Sequence, residues 1–269
     1  MYRSIKAPTP WQTAPSEITL GDNGVHLWRA SLKQPAAVRQ QLWPVLSIDE
    51  QEKADRFRFA ADSDKYVIAR GTLRMLLGQY LQCNPGEVQF GYSEYGKPYV
   101  QNAAAEHMHF NVSHSGDVAL YGLAYKRRVG VDVERMRPLI DEDHFVKCVF
   151  SSVEQQTFQA LRPFERQDAF FNGWTRKEAF IKAIGLGLSF PLEAFDVSIS
   201  PGRPAQLLAV HRNGHSHKNW SLADITIATG YKAAYVVEGS TCQAAYFHLE
   251  IGNFLEPNRS RLLEKVPVI

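Results

Sequence analysis

Asp132 and Glu134 stand two residues apart in the run Val129-Gly130-Val131-Asp132-Val133-Glu134. In a strand alternate side chains point the same way. The three valines then form a buried face and the two carboxylates share the other, roughly 7 Å apart at ~3.3 Å per residue. Like charges so placed repel unless water or a cation lies between them. Oxygen ligands of this kind suit Mg2+ held by carboxylates and phosphate. A half-exposed strand with solvated acids would have the same spacing. A second run, Trp174-Thr175-Arg176-Lys177-Glu178-Ala179-Phe180-Ile181-Lys182, has helical spacing. Trp174, Glu178 and Ile181 fall on one stripe. A carboxylate in an apolar stripe is costly unless paired or functional. Lys182 lies one turn further on the same side, where a plain surface pair with Glu178 would contribute roughly a few tenths of a kcal/mol.

A third run, Phe110-Asn111-Val112-Ser113-His114-Ser115-Gly116, reads as a strand end breaking into a polar turn. Its hydroxyls, imidazole and free backbone N–H groups suit phosphate oxygens. Neighbours on a strand point apart, so Ser113 and His114 are badly placed as a nucleophile and base. No Gly-x-Ser-x-Gly elbow supports a hydrolase either. Tyr95-Gly96-Lys97-Pro98 is a turn that leaves Lys97 exposed. Neither a Walker A loop nor Gly-x-Gly-x-x-Gly is present, which argues against P-loop and Rossmann chemistry. His211, His215 and His217 sit among Arg212, Asn213, Gly214 and Lys218, a composition that favours a solvent loop over a metal site.

Several elements must position these groups. The first ~20 residues are Pro- and Thr-rich and read as an extended arm. Val25–Ala30 alternates as a strand. Ser47 with Glu50 three residues on has capping-box spacing and starts a helix through Lys53, Arg56 and Phe57. Asp62–Leu81 is a longer helix that Asn84-Pro85-Gly86 ends. Strands are expected over 88–92, 98–100, 109–112, 118–125 and 129–134. Helices follow over 145–150, 153–161 and 166–184, with Gly185 and Gly187 closing the last. Further strands are expected over 195–199, 206–210, 222–228 and 231–237. The order gives two α+β halves, residues 1–128 and 129–245, with a tail over 246–269 and a cleft between the halves. No sequence repeat is legible between them. A single continuous sheet with helices on one face is the alternative.

The 269 residues are 45% hydrophobic and 22% charged, which excludes a disordered chain, a collagen and a coiled coil. The 30 basic and 28 acidic residues leave a net charge of +2, too balanced for a dedicated nucleic-acid binder. Lys126, Arg127 and Arg128, the densest basic cluster, read as a solvated turn. No run of 18 apolar residues predicts a membrane span. The stretch Met1–Thr13 has no apolar core of a secretory signal. Cys83, Cys148 and Cys242 stand far apart, as thiols of a reducing cytoplasm do.

Taken together and in this order, Gly96-Lys97-Pro98, Phe110–Gly116, Gly130–Glu134 and Trp174–Lys182 resemble the Sfp type of 4'-phosphopantetheinyl transferases. The similarity runs from about Leu46 to Ala245. It implies the 4'-phosphopantetheinyl transferase fold, two similar α+β halves in a pseudo-two-fold arrangement with coenzyme A between them. It also implies a Mg2+-dependent reaction. The phosphopantetheine of coenzyme A moves to a serine of an acyl or peptidyl carrier protein, and adenosine 3',5'-bisphosphate leaves. By the family pattern Asp132, Glu134 and Glu178 hold the metal. Lys182, Ser113 and His114 meet the phosphates, and Lys97 and Pro98 line the nucleotide pocket. Lys53 matches a basic residue that reaches the 3'-phosphate, with Arg70 and Arg74 as further candidates. Glu50 departs from the pattern, standing where some relatives carry another base.

The residue chemistry suits such a transfer. Mg2+ and lysine stabilise charge on the reacting phosphate and its leaving group. Glu178 is the best base for the serine, directly or through a metal-bound water. Lys182 is its catalytic companion. A carrier-binding module without catalysis and a metal-dependent phosphodiesterase are the rival readings. Carriers of fatty-acid, polyketide or nonribosomal peptide synthesis would fit equally. Arg135 and Arg137, with Met136, Leu139, Ile140, Phe145 and Val146 close behind, are expected to dock an acidic amphipathic helix of the carrier. The chain is expected to act as a cytoplasmic monomer, without nucleic acid or membrane.

Overall fold

The computed structural model describes residues 11–13, 15, 18–101, 107–212 and 216–255. Most of the expected N-terminal arm, His215 and residues 256–269 of the expected tail lie outside them.

The chain opens with β1 (Gln12–Thr13) and β2 (Gly24–Ser31). Three helices follow: α1 (Ala36–Leu42), α2 (Ile48–Asp55) and α3 (Ala60–Leu81). The capping box forms as expected, with the Ser47 N–H donating to Glu50 at 3.0 Å. Helix α2 ends at Asp55, short of Phe57. Helix α3 is closed by Gln82 in the left-handed region (φ 53°), ahead of the Asn84-Pro85-Gly86 turn. Strands β3 (Phe90–Tyr92), β4 (Pro98–Val100), β5 (Met108–Ser115), β6 (Val118–Tyr125) and β7 (Val129–Arg135) come next. Helices α4 (Glu142–Val149), α5 (Ser152–Gln159) and α6 (Pro163–Ile184) follow. Gly185 takes the left-handed cap (φ 78°) that ends α6. The remaining strands are β8 (Phe195–Val197), β9 (Leu207–Val210), β10 (Trp220–Asp224), β11 (Tyr231–Glu238) and β12 (Gln243–Leu249), before α7 (Ile251–Leu255).

Among the described residues two main sheets form, ordered β1-β12-β2-β6-β5 and β10-β11-β7. Residues 246–249, expected in a tail, belong to β12, which runs parallel to β2 inside the first sheet. Each sheet buries one face under its own helices. Leu73, Met75, Leu76 and Leu77 of α3 join Trp28, Phe110 and Tyr121 in one core. Phe180, Ile181 and Ile184 of α6 join Phe195, Trp220 and Val236 in a second. The opposite faces meet in a third core, where Val129, Val131 and Val133 pack with Val25, Leu27 and Leu120. Each fully buried valine contributes roughly 1.5–3 kcal/mol. The basic cluster at the junction between halves is less free than its composition suggests. Arg127 donates to Thr241 O at 2.7 Å, and Arg128 pairs with Glu238 at 2.7 Å.

Candidate functional site

The site lies where β7 passes beneath α6. Strand β7 keeps its valine face buried as the alternation requires. Its other face is not solvated, because α6 covers it. At Gly130 the two elements touch so closely that a Cβ would lie 2.1 Å from Ala179 O. Asp132, one residue pair further along, is therefore only 2% exposed. A carboxylate in that position requires a partner, and α6 supplies it. Lys182 Nζ sits 2.5 Å from Asp132 Oδ1 and 3.1 Å from Ser113 Oγ. The i,i+4 pairing of Lys182 with Glu178 is thus replaced by a bond to the neighbouring strand.

One cavity is lined by Ser113, His114, Asp132, Glu134, Glu178 and Lys182, with Val112 and Trp174 as its apolar wall. A second is lined by Tyr95, Gly96, Lys97, Pro98 and Asn111, and shares Glu178 and Lys182 with the first. The expected metal, phosphate and nucleotide residues are brought together, apart from Lys53. That residue is exposed on α2, its Nζ 5.2 Å from the Tyr66 ring centroid, and lines neither cavity. Arg70 and Arg74 are also turned away, both bonded to the buried Glu50. Arg70 further stacks on Phe90, and Arg74 donates to Val88 O at 2.8 Å. Glu50 therefore holds α2 to α3. Lys97 is half-buried rather than exposed. Its ammonium donates to Ala183 O at 3.0 Å and Val129 O at 3.3 Å, tying the turn to the end of α6.

The charges perturb one another. Burial raises the Asp132 carboxyl, against Lys182 and Ser113, which favour its ionised form. Burial also raises Glu178, and the negative charges of Asp132 and Glu134 add to it against Lys182. His114 is held below the ordinary imidazole value by the protein around its ring and then by Lys182. Burial, then the charge of Arg128, pushes Lys97 down to about 8.

Ser113 gives its one proton to Asp132 Oδ1 at 2.9 Å and accepts from Lys182 and from Val133 N–H. Ser115 donates to Glu134 Oε2 at 2.7 Å. Among the described residues no group of three or more His, Cys, Asp or Glu side chains is drawn together as a metal cluster. The donors nevertheless suit a hard divalent cation. Three carboxylates line one cavity, and Asp132 Oδ2 is buried without a hydrogen-bond partner. His211 pairs with Asp196 at 2.9 Å.

Sequence reasoning placed Ser115 only in a phosphate-binding run and missed its bond to Glu134, and it gave no part to the buried Lys177, which pairs with Glu154 at 2.7 Å. The period-two run Asn111, Ser113, Ser115 was the available signal for the first. The surface beside the expected metal residues is mixed. Arg135, Arg137, Ile140 and Phe145 are exposed, Val146 is buried, and Met136 and Leu139 pack on the core beneath α6.

Comparison with known proteins matches both halves of the chain. The pattern of the 4'-phosphopantetheinyl transferase superfamily matches residues 128–236. That of the 4'-phosphopantetheinyl transferase N-terminal region matches residues 27–124. The chain is 36% identical over 239 residues to the 4'-phosphopantetheinyl transferase HetI of Nostoc sp., covering 88% of this chain and 98% of the relative. It is 35% identical over 165 residues to a 4'-phosphopantetheinyl transferase of Bacillus subtilis, covering 61% and 71%. Its identity to 4'-phosphopantetheinyl transferase Sfp of Bacillus subtilis is 29% over 196 residues, covering 70% and 80%.

Proposed function

The chain belongs to the 4'-phosphopantetheinyl transferase family, and we propose that it moves the phosphopantetheine arm of coenzyme A onto a serine of an acyl or peptidyl carrier protein. The observation that carries this reading is the pair of adjoining cavities that share Glu178 and Lys182. One is rich in carboxylates and the other holds Lys97 and Pro98 beside glycine turns. An acidic, phosphate-bearing substrate and a hydroxyl nucleophile can meet where they join.

In the reaction the serine Oγ–phosphorus bond forms and the pyrophosphate P–O bond breaks, releasing adenosine 3',5'-bisphosphate. Glu178 takes the serine proton. Its raised pKa brings it nearer the working pH of a general base. Lys182, already in contact with Asp132, supplies positive charge to the phosphate. His114 offers a neutral imidazole at the cavity wall, and Lys97 adds charge beside the nucleotide. Asp132, Glu134 and Glu178 would hold Mg2+, which supplies Lewis-acid stabilisation of charge on the phosphates. Lys53, exposed on α2 and outside both cavities, would serve only a distal phosphate of the same substrate that extends beyond them. The acidic carrier docks on Arg135, Arg137, Ile140 and Phe145, beside Glu134. The enzyme works as a cytoplasmic monomer, with each chain contributing both halves of its site. Its three cysteines are free, and among the described residues no helix is long and apolar enough to cross a membrane.

Mass spectrometry tests the reading. An apo carrier protein incubated with coenzyme A, Mg2+ and the enzyme should gain the mass of one phosphopantetheine. Cleavage of coenzyme A with no gain on the carrier would instead make the protein a phosphodiesterase. Carrier binding without either reaction would make it a docking module.

A further inference from the structure

Strands β5 and β7 are edge strands of different sheets, and they run side by side at a constant offset of 20 residues. An unpaired edge leaves backbone N–H groups in need of acceptors. Here side chains supply them. Asn111 Oδ1 accepts from Val131 N–H at 2.8 Å, Ser113 Oγ from Val133 N–H at 3.3 Å, and Ser115 Oγ from Arg135 N–H at 3.1 Å.

The residue types along this seam follow what stands opposite. A hydroxyl has one proton to give after accepting. Ser113 gives it to Asp132 and Ser115 to Glu134, in each case the residue just before the N–H that the serine accepts. One step earlier that preceding residue is Gly130, which has no carboxylate, and there the seam residue is Asn111. A serine therefore appears at each of the two steps where a carboxylate must be aimed.

We infer that Ser115 is a positioning residue for the transferase site, its hydroxyl fixing the Glu134 carboxylate toward the cavity that Asp132 and Glu178 share. This rests on the reading that these three carboxylates hold a divalent cation. Glu134 is half-buried and would otherwise turn to solvent. Hydrogen-bonding partners of metal ligands are typically worth about 10–100-fold in metal affinity. Arg135 is exposed, so water can satisfy its N–H when the serine hydroxyl is removed.

The test is Mn2+ binding to the full-length protein, followed by electron paramagnetic resonance of the free ion, with thermal denaturation as a check on folding. Ser115→Ala should weaken binding about 10–100-fold, and Ser115→Thr should restore it. Glu134→Gln should weaken it at least as much. In the Glu134→Gln background Ser115→Ala should add nothing, because both changes remove one coupled unit. If Ser115→Ala fails to fold, Ser115→Cys keeps the size with a weak donor and should show the same loss. Wild-type Mn2+ affinity in Ser115→Ala, with binding lost in Glu134→Gln, would overturn the inference alone. An equal further loss in the Glu134→Gln background would also overturn it. Absence of Mn2+ binding to the wild-type protein would overturn the metal reading and the inference with it.

Discussion

Helices α3 and α6 have the same length, 22 residues, and each follows a short helix that opens with Ser-x-x-Glu. In both short helices the glutamate is 2% exposed. In both, that carboxylate binds a cation from the fifteenth residue of the long helix, Arg74 in α3 and Lys177 in α6. The next residue is Met75 in α3 and Glu178 in α6. One turn further stand Gln79 and Lys182. Met75 packs into the first core, while Glu178 and Lys182 face the cavities. One frame thus recurs in both halves, and the proposed catalytic pair stands on the second alone, at two positions a turn apart. Each buried ion pair ties a short helix to the long helix that follows it. The electrostatics of the frame also differ. Burial raises Glu50, but Arg74 and Arg70 together outweigh it and hold its carboxyl below the usual range. At Glu154 burial wins over its single ammonium and the carboxyl is raised.

The sharpest way to break this comparison is to exchange what sits at the sixteenth position. Glu178→Gln should lower turnover about 10²–10⁴-fold, the usual range for loss of a general base. Its melting temperature should not fall, since one of three mutually repelling carboxylates loses its charge. Met75→Ala should do the opposite. It should cost about 2–5 kcal/mol in denaturant unfolding and keep wild-type turnover per folded molecule. An activity loss at Met75 matching that at Glu178 would erase the distinction.

The frame itself is tested next. Lys177→Met leaves Glu154 without its ammonium and should cost about 3–5 kcal/mol. The double change Lys177→Met with Glu154→Gln should recover part of that loss. Arg74→Met should cost less, because Glu50 keeps Arg70. Thermal denaturation of the three variants ranks them, and a larger loss at Arg74 would reverse the reading of the two halves.

A smaller effect concerns pH and belongs to the first half. Burial lowers His26 to about 4, and its Nδ1 shares a 2.6 Å hydrogen bond with Tyr80 Oη. The unfolded chain protonates this imidazole near its ordinary value, about 6.5. Between those values the unfolded state binds more protons, so stability falls as pH drops from about 6.5 to 4. His26→Asn should flatten that part of the melting-temperature profile by a few degrees. An unchanged slope would remove His26 from the account.

The smallest effect is expected at the surface that only the second half carries. Arg135→Glu with Arg137→Glu should raise KM for the carrier several-fold and leave KM for coenzyme A near the wild-type value. Unchanged KM for both would move docking to another face, such as α2.

How much of this was legible depended on the range of the forces involved. Local signals were clear. The alternation of Val129, Val131 and Val133, the Ser47–Glu50 cap and the glycine after Ile184 each act within a few residues, and each formed the expected element. Four ordered motifs picked out residues that the fold gathers around two adjoining cavities. Long-range pairings were not legible. The sequence around Asp132 cannot disclose that α6 will cover it, because the clearance at Gly130 depends on Ala179, far along the chain. Lys182 was read against Glu178, its neighbour on the helix, whereas the low-polarity floor under α6 made Asp132 the stronger partner. Arg70 and Arg74 looked free for phosphate because Glu50 lies more than a helix away. The repeat of Ser-x-x-Glu at Ser151–Glu154 is real, but four residues are too short a unit to stand out.

Strand β12 carries a consequence for how the molecule is made. It completes the pairing of β2, yet the whole second half is synthesised between them. At about 5–20 residues per second, roughly 10–40 s separate the emergence of β2 from that of β12. Until β6 emerges both edges of β2 are open, and from then until β12 is made one edge stays open. Helix α3 and the β5–β6 hairpin can gather on the ribosome, but the sheet stays unfinished until translation has nearly run its course. Halves that look separable on paper are therefore bound into one birth order, and a chain stopped before Gln243 should be prone to sticking to others of its kind.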